Sequence, residues 1–381
     1  MSSRRMSDNC AAANDSRHGA PRDRASFLEG VLPRAPAKFL SANKSVYCPS
    51  RHSTIDLSLT HNPLGCSPRL EAMSAGGAER LSRYPELGFK ELCGTLAAKL
   101  RLEPNSVCLG SGIDDILEDL VTTFAEDGDE IVLPAHTFPN IAYFAEIRGV
   151  RAVRASMCEN LRVDFRKMRD CVSDRTRIVY LCNPNNPTGL VEEVSEIARL
   201  ASGLNCLMVV DEANIEYDGD SCVAALDHHP NMLVMRTFSK AYGLAGARIG
   251  YCLGAPELIR YIEGCRPPFV TSAMAAELAR EALLDADHVR RSVDYMQEQT
   301  AFLSRELTLR NFLVTPARSN CFVCRVPLEF GSANNFQRLL APFGVAVVNG
   351  RHFSLPDDYI RVAPQSRDLN IGFVTAIDSA R

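Results

Sequence analysis

The sequence predicts an α/β protein: a three-layer αβα sandwich around a mostly parallel central sheet, followed by a smaller α+β domain at the C-terminus. Short continuous apolar runs, typical of strands buried on both faces, recur along the chain. Longer segments with helical spacing, such as 195–202 and 256–264, separate most of these runs. The runs are Ile131–Leu133, Ile178–Leu181, Leu207–Val210, Leu233–Met235 and Ile249–Leu253.

The pattern changes beyond about residue 285, where a long helical stretch, His288–Leu309, leads into short strand-like pieces. We therefore predict a large domain over 46–285 and a small one over 286–381, which part of 46–80 can join. Residues 1–45 are predicted to form an arm. Its first 25 residues or so contain almost nothing apolar to bury, so we expect the arm to be partly disordered.

The composition argues against several classes of partner. A net charge of −4 gives no basic field for nucleic acid, and no run of about 18 apolar residues could span a membrane. Fourteen cysteines without a signal-peptide pattern predict reduced thiols and a cytoplasmic protein. The one CxxC, Cys321 to Cys324, lies in an apolar strand-like run whose positions i and i+3 face opposite ways, so we expect no metal site there.

A stiff polar turn, Asn183-Pro-Asn-Asn-Pro-Thr-Gly189, follows the apolar run Ile178–Leu181. In parallel α/β sheets, ligands bind at the carboxyl edge, where this turn would lie. The amide of Asn186 could hold the phenolic oxygen of a bound ring there. A plain surface turn is the alternative interpretation.

Asp211 directly follows the apolar run Leu207–Val210. A carboxylate at the end of a buried strand is unfavourable unless it meets a cation. A pyridinium nitrogen is one such partner, and the charge of Asp211 would keep that nitrogen protonated. A helix cap or a structural salt bridge would equally explain the residue taken alone.

Lys240 lies in a segment of small and apolar residues, Arg236-Thr-Phe-Ser-Lys-Ala-Tyr-Gly-Leu-Ala-Gly-Ala-Arg248. Thr237, Ser239 and Arg248 are phosphate-binding residue types. Partial burial would lower the pKa of Lys240 and make its amine a nucleophile. A solvated surface lysine is the commoner reading of a single such residue.

A glycine loop, Leu109-Gly-Ser-Gly-Ile-Asp-Asp115, opens a helical pattern. Free backbone amides at a helix start attract phosphate. The loop lacks the Gly-Lys-Ser/Thr of a P-loop, and many helices begin in a similar way.

Taken together and in this order, the four motifs resemble those of the fold-type-I pyridoxal-phosphate enzymes, specifically the class I/II aminotransferases. The histidinol-phosphate aminotransferase and threonine-phosphate decarboxylase branch is the most similar, and the resemblance covers about residues 54–370. It implies pyridoxal 5′-phosphate as cofactor, bound to Lys240 as a Schiff base, with Asp211 at the ring nitrogen. It also implies transamination of an amino acid or a similar small amine in biosynthesis, with Lys240 moving the proton.

The resemblance assigns further cofactor contacts. Gly112, Ile113 and Asp114 fall on the phosphate-binding helix start, and Phe138 falls where an aromatic ring stacks on the pyridine. Tyr84, in Arg83-Tyr-Pro85, matches the tyrosine that reaches the cofactor phosphate of a neighbouring subunit. A homodimer with shared active sites is therefore implied.

Substrate contacts are implied in the same way. Arg361 falls where the family binds the substrate α-carboxylate, and Asn320 is expected close to it. His61 and Asn62 belong to a segment, Asp56 to Gly65, that is similar to one lining the family's substrate site.

Two positions depart from the family pattern. Asn214 stands where transaminases usually have a tyrosine that contacts the phenolic oxygen of the cofactor, and His61 stands where a glutamate is usual. Asn214 can still donate a hydrogen bond, but it is shorter and not acidic. A decarboxylase, another lyase or a cyclase on the same scaffold is therefore an alternative, and a non-catalytic binding protein of this fold is a more distant one.

Overall fold

In a computed structural model of the chain, the described residues are 53–74 and 82–381, so the predicted arm at 1–45 lies outside them. Their strands are β1 (Ile55–Asp56), β2 (Val107–Gly110), β3 (Glu130–Pro134), β4 (Arg151–Ala155), β5 (Thr176–Cys182), β6 (Leu207–Asp211), β7 (Met232–Thr237), β8 (Gly250–Gly254), β9 (Leu313–Val314), β10 (Phe322–Arg325), β11 (Val345–Ala346), β12 (Val348–Asn349) and β13 (Tyr359–Val362).

The α-helices of the same residues lie between these strands and at the C-terminus. They are α1 (Glu71–Ser74), α2 (Lys90–Leu100), α3 (Ile113–Phe124), α4 (Asn140–Ile147), α5 (Phe165–Asp170), α6 (Val194–Ser202), α7 (Pro256–Gly264), α8 (Ala273–Leu283), α9 (Ala286–Thr308), α10 (Ala333–Leu340) and α11 (Arg367–Ser379). None of the described helices is both long and apolar enough to cross a membrane.

Seven strands form the central sheet in the order β2-β8-β7-β6-β5-β3-β4. From β7 to β4 all neighbours are parallel, and only β8 runs against its neighbours β7 and β2. The predicted α/β class with a mostly parallel sheet is confirmed. All five predicted apolar runs fall on strands of this sheet, whereas β2 and β4 were not predicted.

Each central strand is buried on both faces. Along β5, Val179 and Leu181 pack into one apolar cluster with α2, α6 and α8, while Ile178 and Tyr180 pack into another with α3, α4 and α7. Successive side chains of a strand point to opposite faces, so both layers need apolar residues. This explains why the strands read as continuous apolar runs.

The C-terminal part has its own antiparallel sheet, β12-β13-β10-β9, and its own core, with Leu303 of α9, Phe336 of α10 and Phe373 of α11. β1 pairs with β11, so residues near 55 join this part of the molecule. The apolar run Val345–Val348 is divided between β11 and β12, which belong to different sheets. The domain boundary at 285 stays a prediction.

Candidate active site

Four neighbouring strands of the central sheet, β3, β5, β6 and β7, end at one edge. Because they are parallel, the residues that follow them meet there. A cavity of about 260 Å³ lies at this edge, close to the lower end of the size range of small-molecule sites. Its lining residues are Ser58, Leu59, Thr60, His61, Ile113, Asp114, Phe138, Cys182, Asn186, Asp211, Ala213, Asn214, Thr237, Ser239, Lys240, Ala245, Arg248 and Arg361.

Asp211, the last residue of β6, supplies a buried carboxylate. The hydroxyl of Tyr180 donates to its Oδ2 at 2.7 Å, and the backbone N–H of Ala213 donates to its Oδ1 at 2.9 Å. Burial raises the pKa of Asp211 from 3.8 to about 6, and these two hydrogen bonds oppose the rise. The carboxylate is therefore mostly charged at neutral pH.

Lys240 supplies the amine of the cavity. Its Nζ donates to Thr60 Oγ1 at 2.6 Å and lies 3.1 Å from the Thr60 carbonyl oxygen. Burial, followed by the positive charge of Arg361, lowers the pKa of Lys240 from 10.5 to about 8. A useful fraction of the amine is therefore neutral and nucleophilic near neutral pH.

The start of α3 and Arg248 form an anion-binding end. Gly112 has φ of 83°, and a Cβ at that position would lie 2.6 Å from Arg248 Nη2, so only glycine lets the guanidinium approach the helix start. Arg248 lies 3.7 Å from Asp114 Oδ2, and the Thr237 and Ser239 hydroxyl oxygens lie 2.9 Å apart nearby. Helix amides, a guanidinium and two hydroxyls are suited to a phosphate.

Arg361 of β13 lies at the other end of the cavity and is buried. Its Nη1 donates to Asn186 Oδ1 at 3.2 Å, and its Nη2 donates to the Ser58 carbonyl oxygen. The guanidinium also stacks 5.2 Å from the ring centre of Phe353. These contacts fix its orientation and leave the NH₂ group of Asn186 to donate into the cavity.

The structure brings most of the predicted site residues together. Twelve of them line one cavity: His61, Ile113, Asp114, Phe138, Asn186, Asp211, Asn214, Thr237, Ser239, Lys240, Arg248 and Arg361. They come from turns and strand ends far apart in sequence. Their convergence follows from the strand order.

Four predicted contacts lie elsewhere. Gly112 lies against Arg248, whose guanidinium occupies the space that a side chain at position 112 would fill. Asn62, expected at the substrate, has its buried amide bonded to the Ala241 carbonyl and to Ser292 Oγ, both at 2.9 Å. Asn320 is buried behind the cavity, with its Nδ2 3.5 Å from the Thr60 carbonyl oxygen. Tyr84 is exposed and stacks on Phe269.

Asn62 and Asn320 are thus not among the residues that line the cavity, and their role as substrate contacts stays a prediction. Each of them braces the backbone that surrounds Lys240 instead of facing the cavity. Asn62 fixes the residue after Lys240, and Asn320 contacts Thr60, the hydrogen-bond acceptor of the Lys240 amine.

Sequence reasoning missed Thr60, Tyr180 and Cys182. Cys182 could have been found, because it directly precedes the predicted turn at Asn183. Thr60 lies inside the predicted segment Asp56 to Gly65, but its contact is with Lys240, 180 positions away, and Tyr180 is 31 positions from Asp211, so the sequence does not signal either hydrogen bond.

Comparison with known proteins decides the family. The model of the family "Aminotransferase class I and II" matches residues 54–372. This chain belongs to that family. A histidinol-phosphate aminotransferase of Anaeromyxobacter sp. is 33% identical over 82% of this chain and 87% of its own length. An aromatic amino acid aminotransferase of Cutibacterium acnes is 30% identical over 70% of this chain and 78% of its own.

A solved structure agrees on the fold. Histidinol-phosphate aminotransferase of Sinorhizobium meliloti, in complex with pyridoxal-5′-phosphate, superposes with a TM-score of 0.80 at 22% identity. The match covers 96% of this chain and 99% of that one. The fold is thus that of the fold-type-I aminotransferases, and the family's cofactor is pyridoxal phosphate.

The cavity of this aminotransferase fits that cofactor. A phosphate suits the α3 end, the ring nitrogen suits Asp211, and the buried amine of Lys240 suits covalent attachment. The buried Oδ1 of Asn214 has no hydrogen-bond partner among the described residues, so the amide is available to a bound group. Since the O and N atoms of an amide exchange places by a half-turn, Asn214 can also present its NH₂ to a phenolic oxygen.

From the lowered pKa of Lys240 we predict how the rate of cofactor capture depends on pH. Covalent capture of pyridoxal phosphate by the apoenzyme requires the neutral amine, so we expect its rate to rise with pH through a midpoint near 8. Arg361→Gln should move this midpoint upward, because it removes the positive charge that helps to lower the pKa. The measurement is the capture rate by absorbance across pH.

Arg351→Gln serves as the matched control, because Arg351 is an exposed arginine paired with Asp357. It should leave the midpoint unchanged. A midpoint near the ordinary lysine value of 10.5 in the wild-type protein would contradict the assignment.

Proposed function

We propose that this aminotransferase transfers the amino group of a small substrate that also carries an anionic group, either a phosphate ester or a carboxylate. The observation that supports this most directly is the joint position of Lys240 and Arg361. Both line the same cavity, and the guanidinium is close enough to lower the pKa of the amine. An amine that meets Lys240 can therefore present an anion to Arg361.

Each residue of the cavity has a distinct role in this proposed reaction. Arg248 and the α3 amides hold the cofactor phosphate, Asn186 donates to the ring substituent, and Asp211 supplies negative charge at the ring nitrogen. Pyridoxal phosphate, when bound, supplies a ring that withdraws electrons from the substrate carbon. Lys240, with its Nζ neutral, would take the proton from that carbon and donate it to the carbon that receives the amino group. Arg361 orients the substrate for this transfer.

The relatives support a substrate with a ring and an anion. Those named histidinol-phosphate aminotransferase and aromatic amino acid aminotransferase point to amines that combine these two features. Histidinol phosphate and the aromatic amino acids are therefore the first substrates to test, and a place in amino-acid biosynthesis follows from the family.

A paired-substrate assay tests the role of Arg361. We expect Arg361→Gln to lower kcat/KM about 10- to 100-fold for histidinol phosphate, since a charge-assisted hydrogen bond is lost. The same change should lower kcat/KM much less for histidinol, which lacks the phosphate and senses only the raised pKa of Lys240. Formation of the carbonyl product is the measurement.

Arg351→Gln, at an exposed arginine, is again the control and should change neither value. Equal losses on both substrates would show that Arg361 does not recognise the anion. No transamination of histidinol phosphate or of any aromatic amino acid would overturn the proposed substrate class.

Asn214 favours one second candidate, a decarboxylase or other lyase on the same scaffold. The unpartnered amide oxygen replaces the tyrosine hydroxyl that transaminases of this family usually place there. An assay on an aromatic amino acid, which carries an α-carboxylate, separates the two reactions, because release of carbon dioxide without a keto acid would favour the lyase.

We also propose that the enzyme is a homodimer with shared active sites. Tyr84 is 83% exposed and stacks on Phe269 at 4.8 Å, beside the exposed Leu87. An exposed group of large apolar side chains is typical of an interface. Its position outside this chain's own cavity is consistent with a contact to a second subunit.

Two substitutions at Tyr84 test the dimer. We expect Tyr84→Glu to shift the mass measured by light scattering toward the monomer, because it places a charge in an apolar interface. Tyr84→Phe should keep the mass but weaken cofactor binding. Tyr261→Glu, at an exposed tyrosine on α7, is the control. A wild-type monomer with full activity would contradict the proposal.

A reducing, cytoplasmic location is proposed on the basis of the thiols. The twelve cysteines of the described residues are all free. Burial raises the pKa of several, such as Cys182 and Cys324, so they pack as small apolar side chains. Many free thiols are typical of proteins that work in a reducing compartment.

A further inference from the structure

The hydroxyl of Tyr180 donates a hydrogen bond to Asp211, and the family pattern assigns no role to this tyrosine. Its hydroxyl lies 2.7 Å from Asp211 Oδ2, and both side chains are buried. Each carboxylate oxygen can accept two hydrogen bonds. The donors Tyr180 and Ala213 therefore occupy one site on each oxygen and leave the others for a bound ring nitrogen.

The sheet fixes the direction of this phenol. β5 and β6 are parallel neighbours in which Tyr180 is opposite Val209 and Cys182 is opposite Asp211. Tyr180 packs with Val209 in the apolar cluster under α3 and α4, two positions before the end of its strand. From this position its hydroxyl reaches the Asp211 carboxylate at the edge of the sheet.

The surroundings of Asp211 act on its pKa in opposite directions, so the hydrogen bond from Tyr180 helps to decide whether the carboxyl is charged. Burial raises the pKa of the carboxyl, the carboxylate of Asp114 adds to the rise, and the Lys240 amine opposes it. The neighbouring thiol of Cys182 stays neutral because burial raises its pKa well above the usual value. Tyr180 also stays protonated, since burial raises its pKa, so it donates at every physiological pH.

We propose that Tyr180 is a positioning residue that keeps Asp211 ionised and correctly oriented toward the cofactor ring. The inference rests on the cofactor role of Asp211 in the proposed function. It adds Tyr180, a residue of the core, as the group that keeps the Asp211 carboxylate charged in the cavity.

The test is the affinity of the apoenzyme for pyridoxal phosphate as a function of pH, in wild type and Tyr180→Phe. The variant loses one hydrogen bond to a charged group, so the pKa of Asp211 should rise by about one unit. The ratio of the two dissociation constants should then approach about tenfold below pH 6 and fall toward one near pH 8.5. Titrations of Lys240 and of the phosphate occur in both proteins and cancel in this ratio.

Tyr251→Phe is the matched control. Tyr251 is another buried tyrosine of the central sheet, and its hydroxyl bonds to Arg236 and not to Asp211. We expect the dissociation constant of Tyr251→Phe for pyridoxal phosphate, divided by that of wild type, to be close to one at all pH values. Infrared titration of the apoenzyme carboxyl, identified by subtracting Asp211→Asn, should show the same upward shift in Tyr180→Phe alone.

The outcomes separate the two levels of the proposal. If Tyr180→Phe raises the dissociation constant of the cofactor by the same factor at every pH, Tyr180 only packs the core. If it leaves the dissociation constant unchanged, Tyr180 has no role in cofactor binding. If Asp211→Asn itself leaves cofactor affinity unchanged, the assignment of Asp211 fails, whatever Tyr180 does. The paired-substrate assay on Arg361 does not depend on either result.

Discussion

The burial of two opposite charges in one cavity is the constraint on which the site depends. Low dielectric disfavours both the Lys240 ammonium and the Asp211 carboxylate, so the pKa of the lysine falls to about 8 and that of the aspartate rises to about 6. Between these values the amine is partly neutral while the carboxylate stays charged. A nucleophile and a negative charge for the ring nitrogen are thus available together at neutral pH.

The rest of the architecture keeps that arrangement in place. Parallel strands deliver Asp211 and the Lys240 segment to one edge, and Arg361 of the second sheet closes the cavity together with the segment from Ser58 to His61. Arg361 in turn donates a hydrogen bond to Asn186, which fixes the proposed anion-binding group relative to the proposed cofactor-contacting amide. Buried amides such as that of Asn62 hold the backbone beside Lys240 without entering the cavity.

The sequence predicted the residues that chemistry makes distinctive. Lys240, Asp211 and Asn186 follow or flank apolar strands, so both their types and their positions indicated the edge of a parallel sheet. Tyr180 and Thr60 could not be predicted, because a tyrosine in an apolar strand and a threonine in a loop are common. Their contacts depend on strand register and on loop packing across 31 and 180 positions. The hydrogen bonds of Asn62 and Asn320 could not be predicted for a related reason: a motif places a residue in a segment but does not determine which way its amide turns.

The most direct test of the central claim is to map the lysine that carries the cofactor. Borohydride reduction of the cofactor-loaded enzyme fixes the linkage, and mass spectrometry of the peptides locates the added pyridoxyl group. We expect the added mass on the peptide that contains Lys240, and none there in Lys240→Ala. Stoichiometric label on another lysine, such as Lys99, whose Nζ lies 3.2 Å from the Leu283 carbonyl oxygen, would contradict the site.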